Sequence, residues 1–140
     1  MIFSSLYSGS SGNSIFLASI NSKILIDAGM PGKSIEIALN EIGEKAEELD
    51  AIFVTHEHTD HTKGVGVLSR KYNIPVYASE GTWKGMLEQV GKIKESNIRV
   101  MNSPINIKDM DIASFPISHD ALQPTGYSIM CEGKKACIAT

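Results

Sequence analysis

The chain has 140 residues, 42% of them hydrophobic and 21% charged, with a formal net charge of −3, enough for one domain with its own core and ordinary for a globular protein. The weakly acidic balance advertises neither a nucleic-acid-binding nor a membrane-binding surface, although a metal site or a local basic patch can still attract phosphate. No apolar run approaches the about 20 residues that span a bilayer, and Met1-Ile2-Phe3-Ser4-Ser5 lacks the basic flank and long apolar stretch of a signal peptide, so the expected location is cytoplasmic.

Ile2 to Leu6 can start a strand, which Tyr7-Ser8-Gly9-Ser10-Ser11-Gly12-Asn13-Ser14 then breaks. Small residues and two glycines make this a loop whose backbone amides can approach a ligand closely. A phosphate-binding P-loop is excluded, because no Gly-Lys-Ser/Thr follows. Ser14 to Ser19 and Lys23 to Ile26 form a hairpin joined at Ile20-Asn21-Ser22. The second strand ends in Asp27-Ala28-Gly29, and a carboxylate there is costly to bury without partners. Asp27 either caps a turn or the next helix, or hydrogen-bonds a neighbouring functional loop. Pro31 opens a helix to about Ile42, with Ile35, Ala38, Leu39 and Ile42 on one face, and Gly43 stops it. The acidic run Glu44 to Asp50 reads as a solvated connection, and Leu49 to Val54 as a buried strand.

That strand delivers Thr55-His56-Glu57-His58-Thr59-Asp60-His61, which holds three of the four histidines of the chain. Imidazole nitrogens and a carboxylate oxygen are ligands that Zn²⁺ and similar cations prefer, while Mn²⁺ or Fe²⁺ also accept such a set. His56 and His58 are two apart, so in extended chain they leave on the same side and can pinch one ion. Asp60 and His61 follow where the chain must turn, and can face a second ion. A polar loop whose histidines cap a helix is the bland alternative.

Gly64 to Tyr72 reads as a helix, Asn73 to Ala78 as a strand, and Thr82 to Val90 as a helix with Ser79 as a cap and Trp83 in the core. From Ile98 on, Arg99–Met101, Ile105–Ile107, Asp111–Ile117, Tyr127–Cys131 and Ala136–Ile138 read as a meander of strands. A turn at Gly133-Lys134 would set Cys131 opposite Ala136, so two buried reduced thiols are expected rather than a disulfide. His119, the fourth histidine, sits at a strand end between Ser118 and Asp120, the same setting as the first cluster.

His56-x-His58-x-Asp60-His61 after a buried strand resembles the signature of the metallo-β-lactamase superfamily. The resemblance implies an αββα sandwich, a mixed sheet with flanking helices plus a strand meander, holding one or two metal ions. It implies that His119 completes a site with His56 and His58 and leaves a fourth position open. Asp60 and His61 would take a second ion that holds the substrate oxygen, acting as the catalytic pair. Asp27 would hydrogen-bond the histidine loop. In the family a strand such as Ala136–Thr140 leads into a metal-bridging aspartate, with a further histidine beyond. Neither is present, so the expectation is the N-terminal part of such a domain. Most of the second sheet and its outer helix would be missing, with open edges that invite self-association.

The implied chemistry is hydrolysis by a metal-activated water at carbon or phosphorus. The loop Tyr7 to Ser14, Asp27-Ala28-Gly29 and Ser118-His119-Asp120-Ala121 look most like a bacterial branch of the family described as cytoplasmic metal-dependent DNA exonucleases. Nucleic acid is then the expected substrate, with Ser10, Ser11, Gly12 and Asn13 meeting phosphate through backbone amides. The alternatives are a hydrolase of carbon esters or amides, such as a lactam or a glutathione thioester, and a metal-binding or dimerising module without turnover.

Overall fold

The computed structural model describes residues 1–139. Short apolar runs too brief for helices become strands, and they sort into two sheets. The first has six strands in spatial order β1 (Ile2–Tyr7), β2 (Ser14–Ala18), β3 (Lys23–Ile26), β4 (Ala51–Phe53), β5 (Val76–Ala78) and β6 (Ile98–Val100). β1, β2 and β3 are antiparallel, whereas β3 to β6 run parallel. Parallel neighbours need crossovers, and these are α1 (Gly32–Glu41), a one-turn α2 (Thr59–Thr62) with α3 (Val65–Tyr72), and α4 (Glu80–Val90). The second sheet is an antiparallel meander in spatial order β10 (Lys134–Ile138), β9 (Thr125–Cys131), β8 (Met110–Pro116) and β7 (Ile105–Ile107).

Alternation along the strands explains the layering. Phe16, Leu25, Ile52 and Val76 pack against Ile35 and Leu39 of α1, Val65 and Leu68 of α3, and Trp83 and Met86 of α4. Leu17, Ile24, Phe53 and Tyr77 point the other way, onto Met110, Ile112, Tyr127 and Ile129 of the second sheet. The central strands are therefore buried on both faces, which is why they read as unbroken apolar runs. The result is helix, sheet, sheet: three layers of an αββα sandwich. At the centre Phe53 stacks on Tyr77, with centroids 4.9 Å apart, and meets the edge of Tyr127 at 5.3 Å. The Tyr127 hydroxyl donates to the Val54 carbonyl at 2.7 Å, tying one sheet to the other, and burial holds this phenol well above its usual pKa.

Several expectations are corrected. β6 is not part of the meander. It follows a helix, and the β-α-β crossover returns it parallel to β5 in the first sheet. The last hairpin turns at Glu132-Gly133, both at positive φ (54° and 72°), so Cys131 faces Lys134 and not Ala136. Cys131 is buried but Cys137 is exposed, and both are free thiols. The acidic connection is not merely solvated: it carries a 3-10 turn over Ala46–Glu48 that buries Ala46 and Leu49, while Glu44 and Glu48 both pair with Lys23. Among the described residues the second sheet holds the four strands of the meander. Trp83 is in the core as expected, its indole N–H donating to the Arg99 carbonyl. Of the closing run, Thr140 lies outside the described residues.

Tyr127→Phe leaves the Val54 carbonyl buried without its donor, and should lower the unfolding free energy by about 1–3 kcal/mol, read from urea midpoints at unchanged slope.

Candidate metal centre

The expected site residues gather at one edge of the first sheet, beyond the carboxyl ends of the parallel strands, where α/β folds keep their ligand crevices. β4 ends at Phe53, and Val54-Thr55 carry the chain into the histidine loop before α2 begins at Thr59. His119 arrives from the second sheet, on the segment between β8 and β9. One nitrogen from each of His56, His58 and His119 lies within 4.8 Å of the others. The His56 ring centroid is 4.7 Å from that of His58 and 4.4 Å from that of His119. Ring nitrogens so placed can converge on one ion, and histidine sets of this kind hold Zn²⁺ with a position open for water.

Hydrogen bonds choose which nitrogen of His56 is available. The Thr55 hydroxyl donates to Asp27 Oδ2 at 2.8 Å, so toward His56 Nδ1, 2.9 Å away, it can only accept. Nδ1 therefore carries the proton and Nε2 keeps its lone pair. Burial, reinforced by the charges of His61, His119 and His58, pushes the His56 imidazole down to about 4. At neutral pH no proton competes for that lone pair.

Asp27 is almost fully buried and stands at φ 64°. Its carboxylate accepts from the Thr55 amide at 2.8 Å, the Thr55 hydroxyl at 2.8 Å and His61 Nδ1 at 2.6 Å. Of the two roles open to it, it thus takes the one on the histidine loop. Burial pushes the Asp27 carboxyl up against the pull of these donors. Burial alone would pull His61 down, but the Asp27 hydrogen bond and charge, with Asp60 adding to them, leave it raised.

Asp60 and His61 form a corner beside the three histidines, with the His56 and His61 centroids 4.0 Å apart. His61 Nε2 lies 3.5 Å from Asp60 Oδ2 and 3.3 Å from Asn13 Nδ2. Asn13 also lies 3.2 Å from Asp60 Oδ2, and its amide closes the Ser/Gly loop onto the Gly9 carbonyl at 2.8 Å. Of the four loop residues expected to meet substrate, Asn13 is the one whose side chain reaches this corner among the described residues. Gly12 is buried, and Ser10 and Ser11 are exposed. The three strand-end loops are laced by backbone bonds: Asn13 N to Asp60 O at 2.8 Å, Gly29 N to Asn13 O at 2.9 Å and Ala28 N to His61 O at 3.0 Å. A side chain at Gly29 would sit 1.7 Å from the Asp60 carbonyl, so the close approach admits only glycine. Sequence reading gave Thr55 no role, since a threonine after a strand is unremarkable until its two partners are in place.

The family model described as the metallo-beta-lactamase superfamily matches residues 7–133. The chain is 46% identical over 142 aligned positions to a protein of Streptococcus pneumoniae serotype 2 named exodeoxyribonuclease WalJ, covering 99% of this chain and 53% of that protein. It is 39% identical to exodeoxyribonuclease YycJ of Bacillus anthracis, again across 99% of this chain and 53% of the relative. The chain thus spans about half the length of the curated relatives it matches. Among solved structures, a metallo-β-lactamase of Cronobacter sakazakii superposes with a TM-score of 0.79 at 18% identity, covering 94% of this chain and 58% of that one. The Rm3 metallo-β-lactamase superposes at 0.77 with 19% identity, over 97% and 56% respectively.

His56 takes a proton near pH 6.5 when unfolded and only near 4 when folded. The folded state binds fewer protons in that interval, so stability falls as pH drops through it. Metal-free wild type should lose stability relative to His56→Gln by up to about 1.4 kcal/mol per pH unit there. Denaturant midpoints measured across the interval check this, and parallel curves for the two proteins would refute it. Asp27→Asn exchanges one accepting oxygen for a donor among three donors, and should cost about 1–3 kcal/mol in the same measurement at neutral pH.

Proposed function

Since the chain belongs to the metallo-β-lactamase superfamily, we propose that it is the histidine-bearing part of a metal-dependent phosphodiesterase that degrades DNA from an end. The observation that carries this reading is the convergence of His56, His58 and His119, from two different sheets, to within 4.8 Å. The two relatives named exodeoxyribonucleases support the substrate class, because their likeness extends across 99% of this chain.

In this reading His56, His58 and His119 hold one divalent ion, and Asp60 with His61 contributes to a second. Zn²⁺ suits the nitrogen-rich set, and Mn²⁺ or Fe²⁺ suit the oxygen-bearing corner. A bound ion supplies Lewis acidity, polarising a phosphoryl oxygen and making water acidic enough to attack near neutral pH. The chain's own residues prepare that chemistry. Thr55 keeps His56 in the tautomer that offers Nε2. Asp27 accepts from His61 Nδ1 at 2.6 Å, which fixes the ring and leaves Nε2 as the nitrogen on the Asp60 side. The Asn13 side-chain amide and the loop amides before it offer donors to a phosphate oxygen, and the same side-chain amide donates to Asp60 Oδ2 at 3.2 Å. A cytoplasmic setting suits the two free thiols, and no helix among the described residues is long and apolar enough to cross a membrane.

Elemental analysis after purification without chelator should find at least one equivalent of divalent metal per chain, lost in His58→Ala. The metal-loaded wild type should release nucleotides from the ends of DNA, and His58→Ala and His119→Ala should not. A loaded protein that leaves DNA intact while cleaving a thioester or lactam would sink the nuclease reading and keep the hydrolase.

A further inference from the structure

Glu57, between the first two histidines, has no part in the chemistry above, yet its side chain is engaged. Its Oε2 accepts from the Leu122 amide at 3.0 Å, on the segment that carries His119. Its backbone carbonyl accepts from Gln89 Nε2 of α4 at 3.0 Å. Its stem lies over Gly85 of α4, so closely that a side chain there would come 2.5 Å from Glu57 Cγ and 2.9 Å from Cβ and Cδ. Its Oε1 is buried with no hydrogen-bond partner, an expensive arrangement that an apolar residue of similar size would avoid.

The His119 segment needs such an anchor. Ser118, His119, Asp120 and Leu122 are all exposed, so apolar packing does little to hold them. The far end is fastened elsewhere: the Gln123 carbonyl accepts from Ser79 Oγ at 2.8 Å, and Gln123 Oε1 accepts from the Gly81 amide at 2.8 Å. Among the described residues, Glu57 is the side chain that hydrogen-bonds from the loop of His56 and His58 across to the segment of His119.

We propose that Glu57 is a positioning residue whose carboxylate clamps the His119 segment onto the His56–His58 loop, setting the third imidazole at metal distance, with Gly85 as the space this clamp requires. This rests on reading the three histidines as a metal site. It is tested by titrating the metal-free chain with Co²⁺ and following the visible absorption bands, which report ligand number and geometry, with melting temperatures in chelator as the control for folding.

Wild type should bind Co²⁺ with the bands of a three-histidine site. Glu57→Ala should bind about 10–100-fold more weakly with altered bands. Glu57→Gln, which keeps an oxygen for the Leu122 amide, should restore wild-type affinity and bands. Gly85→Ala should reproduce the loss without a lower melting temperature in chelator, because alanine favours the helix while displacing the Glu57 stem. Wild-type binding and bands in Glu57→Ala would overturn the proposal, and so would a Glu57→Gln protein as impaired as the alanine variant. No Co²⁺ binding by wild type would instead overturn the metal-site reading itself, and the clamp with it.

Discussion

A buried carboxylate with three donors is the constraint on which the site depends. Asp27 sits where β3 ends, in a left-handed backbone conformation that aspartate tolerates better than most residues. Water does not reach it, so its charge is balanced only by what the next strand end supplies: the amide and hydroxyl of Thr55, and the ring of His61. Those bonds fix where the histidine loop leaves β4. They also set the proton on His56 by way of Thr55. One charge buried at the end of one strand thereby orders two imidazoles on the loop that follows the next.

The fold makes that arrangement possible by bringing loops together rather than by bringing helices. Parallel strands β3, β4 and β5 end at the same edge, so successive turns crowd there and can exchange backbone hydrogen bonds. The second sheet lies across the face holding Phe53 and Tyr77, which places the β8–β9 segment over the same edge. His56 is tuned by this crowding. Removal from water and the charges of three other rings discourage a proton on His56 while leaving its lone pair, and a ring that rejects a proton yet offers a lone pair is suited to a cation.

Much of this was legible in the sequence, because the informative residues act locally. The histidines lie within a few positions of one another, the apolar runs before them are unbroken, and His119 repeats the same strand-end setting. What could not be read depended on partners distant in the chain. β6 looks like any short strand, and only the helix before it and the free edge of β5 decide its sheet. The hairpin register at Glu132-Gly133 follows from two consecutive left-handed residues, one of them a glutamate, for which composition offers no cue. Glu57 occupies a spacer position between two ligands, and its meaning appears only when Leu122 and Gly85 stand beside it. The solvated appearance of Glu44 to Asp50 hid Ala46 and Leu49, since two apolar residues among acids make no periodic pattern.

The three imidazoles come from both sheets, and this has a consequence for the whole molecule. In the unfolded chain His58 and His119 are far apart, so an ion that needs all three rings can bind only after the sheets have packed. Such an ion stabilises the native state alone, by about 2.7 kcal/mol when present at a hundredfold excess over its dissociation constant. A cluster placed for chemistry would therefore also act as a rivet through the sandwich, and the resistance of the protein to unfolding would follow the supply of metal around it.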